Sequence, residues 1–167
     1  MGRPIPRSGP AASAHSLGFQ PQDRLLYHVV YGTKHRQPLI QPDLRERLYE
    51  YIGGIVREEG GTLVEIGGVA DHVHLALRLR ATPAVADVIK VVKAKSSKWV
   101  NDNRLTATRF AWQKGYAAFS VSPSQLERLV KYIRTQEQHH RRLSFKEELI
   151  TILEKHGIEY AERYVFA

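Results

Sequence analysis

Three observations predict an α+β fold. From Leu25 onward, short runs rich in β-branched and aromatic residues alternate with segments of helical periodicity. Their order is β-α-β-β-α-β, with two further helices behind it. The chain has 167 residues, 43% of them apolar and 25% charged, which suits one domain with its own core and is too short for two full-size ones. The first six elements match the split βαβ, ferredoxin-like arrangement: one antiparallel sheet with helices on one face, here followed by C-terminal helices.

Leu25–Tyr31 (LLYHVVY) reads as the first strand. Pro42–Glu59 follows as a helix, with Leu44, Leu48, Ile52 and Ile55 at helical spacing. The pair Gly53-Gly54 weakens that helix or lets a neighbour come close. Thr62–Val69 and His72–Leu79 read as strands joined by a turn at Ala70-Asp71. Thr82 is the expected cap, and Pro83 the first turn, of a helix that runs to about Asn101. Tyr116–Val121 is the last strand. Ser122-Pro123-Ser124-Gln125 is a helix start, with Ser122 capping and Gln125 completing a capping box, and the helix reaches Arg142. Ser144–Glu147 is a second capping box, opening a helix that Gly157 ends.

Residues 1–22 are expected to be a disordered tail, rich in Pro, Gly, Ser and Ala and lacking the apolar stretch of a secretory signal. Residues 23–167 then form a single domain. No apolar run is long enough to span a membrane. The absence of cysteine excludes a disulfide scaffold, a cysteine-ligated zinc site and a cysteine nucleophile, and it fits a cytoplasmic protein.

Charge points to a polyanion. Lys plus Arg number 25 against 17 Asp plus Glu, a formal charge of +8. Nucleic acid is the first partner this suggests, and an anionic membrane surface the second. The stretch Ala86–Lys114 holds seven Lys or Arg against two Asp, so Lys90, Lys93, Lys95 and Lys98 are candidate phosphate contacts. Trp99, Phe110 and Trp112 lie among them. They fit the core better than a stacking role on unpaired bases.

Two segments carry potential chemistry. His72 and His74 are two apart on a strand, so their imidazoles share a face and form a natural pair of metal ligands. Alone, that pattern more often marks a strand with one wet face. In the helix after Ser124, Leu126, Leu129, Val130 and Ile133 form the core stripe. Tyr132 lies off that stripe and Gln136 is one turn further on the same flank. A tyrosine so placed is a potential nucleophile, and a glutamine oxygen a potential ligand for a hard cation. By itself such a tyrosine is more often a half-buried ring with a wet hydroxyl. His28 and His35 read as structural or rim residues, and Asp71 as a turn former. His139 and His140 are not assigned as ligands.

Together, His72-Val73-His74 and Tyr132-x-x-x-Gln136 resemble the HUH nucleases that use a single tyrosine. The chain is similar to the single-strand DNA transposases of the insertion-sequence-200/605 type and to their domesticated relatives associated with repeated extragenic palindromes. The similarity runs from about Leu25 to Phe166. It is carried also by Tyr27–Val30 with Thr33–Arg36, by Val91–Ser97, by Gly115–Ser122, and by Ser144–Glu148 with Tyr164. Ala161 stands where family members often have Asp.

The resemblance implies cleavage and rejoining of single-stranded DNA at hairpin-bearing ends. Tyr132 would attack phosphorus and form a 5′-phosphotyrosine. His72, His74 and Gln136 would hold Mg²⁺ or Mn²⁺, and the protein would be a homodimer. Arg134, Arg141 and Arg142 would extend the DNA surface around that site. Two other readings compete. A non-catalytic basic nucleic-acid-binding domain with a ferredoxin-like core would not require the four site residues together. A metal-dependent hydrolase of small phosphodiesters would leave Tyr132 without a role.

Overall fold

The computed structural model describes residues 25–141 and 143–159. The expected tail lies outside the described residues, as do Arg142, Ala161 and Tyr164. The elements are β1 (Leu25–Gly32), α1 (Pro42–Glu58), β2 (Thr62–Val69), β3 (His72–Leu79), α2 (Val85–Asp102) and β4 (Ala117–Val121). Three more follow: α3 (Leu126–Arg134), the single turn α4 (Gln136–His139) and α5 (Phe145–Lys155). The sheet order is β2-β3-β1-β4 with every pair antiparallel, the ferredoxin-like order the sequence predicts.

Strand alternation divides the molecule into two layers. From β3, Val73, Leu75, Leu77 and Leu79 enter the main core with Leu44, Leu48, Ile52 and Ile55 of α1 and Val88, Ile89 and Val92 of α2. Phe110 and Trp112 are buried there too, and Trp99 packs against it from the edge, stacked on Tyr51. The Trp112 indole N–H donates to Ser96 Oγ at 2.9 Å, which satisfies its polar atom inside the core. The opposite face of the sheet carries His28, Val30, His72 and His74. Here Val30 and Phe119 pack against Phe145, Leu149 and Leu153 of α5, a second and smaller core. Strand β3 is therefore covered on both sides, with seven of its eight residues buried.

Helix α3 reaches this second face through a glycine. A Cβ built on Gly67 would lie 2.4 Å from the Ile133 carbonyl oxygen and 2.9 Å from Ile133 Cγ2. The helix thus sits directly on the β2 backbone, with Ile133 as its one buried residue. In α1 the Gly53-Gly54 pair interrupts nothing, and Gly53 gives only ordinary contact with Leu63.

Three boundaries differ from expectation. Helix α2 begins at Val85, one turn before its first buried residue Val88, with Ala84 rather than Thr82 at the cap. Ser122 stands at the N-cap of a 3₁₀ turn (Pro123–Gln125) before α3 but makes no side-chain cap bond; its hydroxyl pairs instead with Ser124 Oγ. The single helix expected up to Arg142 breaks at Thr135, whose hydroxyl donates to the carbonyls of Lys131 and Tyr132. The second capping box forms as read, with Ser144 and Glu147 bonding reciprocally, and Gly157 follows α5 at φ +62°.

Docking of α3 is directly testable. Ile133→Ala should destabilise the protein by about 2–5 kcal/mol through the cavity it leaves. Gly67→Ala should cost about 1–3 kcal/mol, because backbone stands where the methyl group must go. Urea unfolding monitored by circular dichroism measures both. An unchanged midpoint for Gly67→Ala would mean that α3 does not rest on β2 in solution.

Candidate functional site

The site begins with two buried imidazoles. His72 and His74 project from one face of β3 and are fully buried. Each has its Nδ1 engaged. His72 Nδ1 lies 2.8 Å from Asp71 Oδ1, and Asp71 Oδ2 accepts from Arg36 at 2.8 Å. The Arg36 guanidinium lies in turn 3.5 Å from the Phe145 ring centroid. His74 Nδ1 lies 3.0 Å from His28 Nε2, with the two rings stacked. The Nε2 atoms of His72 and His74 are left buried with no hydrogen-bond partner.

Burial also sets their charge. It pushes His72 down to about 4 against the opposing pull of Asp71, and His28 down to about 3 with His74 adding to the effect. His74 is lowered by burial as well. Neutral imidazoles with Nδ1 occupied present a lone pair at Nε2, which is the form that binds a metal.

Helix α5 closes the site from above. Its capping box fixes where the helix starts, and that places Glu148 in the first turn, buried beside Phe145 and Leu149. Glu148 Oε2 lies 3.5 Å from His74 Nε2, 3.7 Å from His72 Nε2 and 2.8 Å from His140 Nε2. Glu148 Oε1 accepts from the Tyr132 hydroxyl and, at 3.0 Å, from Gln136 Nε2. Gln136 Oε1 lies 3.1 Å from His140 Nε2. Burial pushes the Glu148 carboxyl up, but hydrogen bonding from His140, the adjacent His74 and the Tyr132 hydroxyl outweigh it and hold it well below the usual carboxylate range. The Tyr132 phenol is pushed up, first by burial and then by the Glu148 charge.

One donor atom each from His72, His74, His140 and Glu148 falls within 4.8 Å of the others. Two orphaned imidazole nitrogens facing a buried carboxylate fit a divalent cation. The cluster borders a cleft of about 620 Å³ whose wall includes His28, Arg128, Tyr132, His140, Glu148 and Lys155.

The structure brings Tyr132, His72, His74 and Gln136 into one cluster, with the Tyr132 and His74 ring centroids 5.7 Å apart. Gln136 touches Glu148 and His140 within it. Sequence reasoning missed Glu148, although a carboxylate three residues after Phe145 on the face of Leu149 was a visible signal. It also placed His28 as structural or at the rim. The structure buries this residue against His74, on the same strand face as Val30. Asp71 does more than shape a turn, because it orients His72.

The basic residues are less concentrated than expected. Helix α2 packs on the far face of the sheet, away from the histidines. There Lys95 pairs with Glu58 at 2.8 Å, and Lys98 with Asp102 at 2.5 Å. Lys93 donates to the carbonyls of Lys114 and Gly115, and burial lowers it to about 8. Lys90 is exposed, as is Arg141. Arg134 pairs with Glu65 at 2.6 Å. No helix among the described residues is long and apolar enough to cross a membrane.

Known proteins match this chain. A family model described as Transposase IS200 like matches residues 21–136. The ISDra2 transposase TnpA of Deinococcus radiodurans is 25% identical over 118 residues, covering 68% of this chain and 84% of its own length. Two solved structures share the fold. A candidate transposase from Deinococcus radiodurans R1 has a TM-score of 0.54 at 23% identity, covering 68% of this chain and 91% of that one. A REP-associated tyrosine transposase bound to a REP hairpin has a TM-score of 0.56 at 12% identity, covering 70% of this chain and 68% of that one.

The buried imidazoles give the metal-free protein a pH dependence of known sign. His28 and His72 take up protons near 3 and 4 when folded, but near 6.5 when unfolded. Acid therefore favours the unfolded chain. Stability should be full above about pH 6.5 and fall as pH drops toward about 4. Urea midpoints in chelator at about pH 7 and about pH 5 test this. Equal midpoints would mean that the histidines are not buried neutral.

Proposed function

This chain belongs to the IS200-like transposases, and on that premise we propose that it cuts and rejoins single-stranded DNA through a covalent tyrosine intermediate. The observation that carries the proposal is the convergence of Tyr132 with His72 and His74 in one cluster beside an open cleft. A small-phosphodiester hydrolase would give Tyr132 no task there.

In this reading Tyr132 Oη attacks the scissile phosphorus. A P–Oη bond forms as the P–O3′ bond breaks. The proton lost by the phenol is balanced by one gained at the departing 3′ oxygen. The products are a 5′-phosphotyrosine and a free 3′-hydroxyl, and the reverse attack by a 3′-hydroxyl rejoins a strand. Because the phosphotyrosine keeps the energy of the broken ester, no nucleotide cofactor is required.

His72 and His74 would hold Mg²⁺ or Mn²⁺ through Nε2, with an oxygen donor from the Gln136 and Glu148 side of the cluster. Bound there, the cation supplies positive charge to offset that developing on the phosphoryl oxygens. The Asp71 carboxylate requires an N–H at His72 Nδ1 and so leaves its Nε2 lone pair free, and His28 Nε2 engages His74 at Nδ1.

One fold neighbour is bound to a REP hairpin, and we extend that substrate class to this chain. Arg134, Arg141 and Arg142 would contact the strand near the site. Lys90, Lys93, Lys95 and Lys98 lie on the other layer and would contact a more distant part of the DNA. The protein would act as a homodimer.

A denaturing gel tests the chemistry. Labelled single-stranded hairpin DNA from the flanks of the gene is mixed with wild-type protein or Tyr132→Phe, with Mn²⁺ or chelator. We expect a metal-dependent covalent adduct that is absent in the variant, while DNA binding persists. Binding without any adduct would favour the non-catalytic nucleic-acid-binding domain.

A further inference from the structure

We infer that Glu148 supplies the oxygen ligand of the metal site in the DNA-free protein, and that Gln136 positions this carboxylate rather than binding the ion. This rests on the metal reading above. Glu148, and the His140 that hydrogen-bonds it, lie beyond the stretch matched by the family model.

Spacing is the first argument. Two neighbouring donors, each roughly 2.1 Å from a shared octahedral ion, stand roughly 3 Å apart. Glu148 Oε2 lies 3.5 and 3.7 Å from the two orphaned Nε2 atoms. Those separations are long for hydrogen bonds, and a side-chain shift of less than about one ångström brings them to the ligand spacing of one ion.

The division of labour between the carboxylate oxygens is the second. Oε1 is occupied by the Tyr132 hydroxyl and Gln136 Nε2. Oε2 takes one hydrogen bond, from His140, and otherwise faces the imidazoles. A carboxylate oxygen has room for another partner.

The third is the state of Gln136. Its amide nitrogen donates to Glu148 and its only side-chain oxygen meets His140 Nε2. Both ends are engaged, and both contacts act on the groups that fix the carboxylate. Charge is the fourth. Glu148 is buried, and beyond its hydrogen bond with His140 its Oε2 faces two imidazole nitrogens that no protein donor or acceptor fills. A buried carboxylate is costly without a compensating cation. Two nitrogen donors with one carboxylate also favour Mn²⁺ over Mg²⁺.

The test uses the full chain without DNA. Mn²⁺ affinity is measured by electron paramagnetic resonance, and Co²⁺ serves as a visible-absorption probe of the ligand set. Glu148→Gln keeps the side-chain volume and should weaken Mn²⁺ binding on the order of 100-fold and change the Co²⁺ spectrum. Gln136→Ala should weaken binding only on the order of 10-fold and leave the spectrum unchanged, as expected for a group acting through a ligand. Glu148→Asp, which retains a carboxylate, should bind Mn²⁺ more tightly than Glu148→Gln. This arm guards against a folding defect in any one variant.

If Glu148→Gln binds like wild type, or Gln136→Ala alters the spectrum as Glu148→Gln was expected to, the inference is overturned while the metal reading stands. If wild type binds neither ion, or His72→Ala binds as wild type does, the metal reading fails and takes the inference with it.

Discussion

Strand β3 has to be dry on both faces, and most of the molecule is arranged to meet that demand. One face meets α1 and α2 through aliphatic side chains, which needs nothing special. The other carries two histidines, and an imidazole taken out of water must be neutral and must keep its N–H satisfied. Asp71 and His28 answer the second requirement from the adjoining turn and strand. Helices α3 and α5 answer the first by covering the pair. Gly67 permits the close approach of α3, and the capping box of α5 sets the angle from which Glu148 enters. The cover cannot be wholly apolar, because two nitrogen lone pairs face it. The polar cluster is thus a consequence of burying His72 and His74 on a central strand.

The sequence made the sheet legible because each strand is short, rich in branched and aromatic residues, and bounded by a turn. Alternation placed His72 and His74 on one face, and helical spacing separated Tyr132 from the stripe that holds Ile133. Glu148 was harder to read, because its role depends on which helix faces which strand. A carboxylate on the apolar side of an amphipathic helix has meaning only once its long-range partners are known. Thr135 hid a break for a related reason: a side-chain hydroxyl competing for carbonyls leaves no mark on hydrophobic periodicity. His28 alternated correctly with Val30 and would have been assigned to the histidine face had the pairing of β1 with β3 been used.

The charge of the chain is distributed differently from its sequence. A run of lysines between Ala86 and Lys114 suggests a continuous cationic surface, yet neighbours claim most of α2's lysines. Glu58 and Asp102 neutralise two of them, and the loop carbonyls of Lys114 and Gly115 hold a third. Exposed pairs of this kind contribute little to stability. Their effect is instead to reduce the net field on the α2 side. Counting charges along the chain therefore overstates the potential at any one place, and Lys90 and Arg141 are better representatives of free surface charge than the run as a whole.

Glu148 joins the proposed nucleophile to the histidine pair, and this raises an electrostatic problem that any strand-cutting reading has to solve. The Tyr132 hydroxyl is bound to a carboxylate, which together with burial makes the phenol a poorer source of phenolate. A phosphodiester drawn to Tyr132 would also meet a like charge. Two unit anions 4 Å apart repel by about 4 kcal/mol at an effective dielectric of about 20. Positive charge must therefore enter the cluster before phosphate can. Two sources of it are in place: Arg36, stacked on Phe145 and held by Asp71 at the edge of the site, and the pair of nitrogen lone pairs that a cation would occupy. Arg36 gives its Nη2 to Asp71, whose other oxygen orients His72. The need for charge compensation thus falls on the histidine face. That is why an imidazole pair, and not a further arginine, suits the centre of a site that must accept an anion beside an anion.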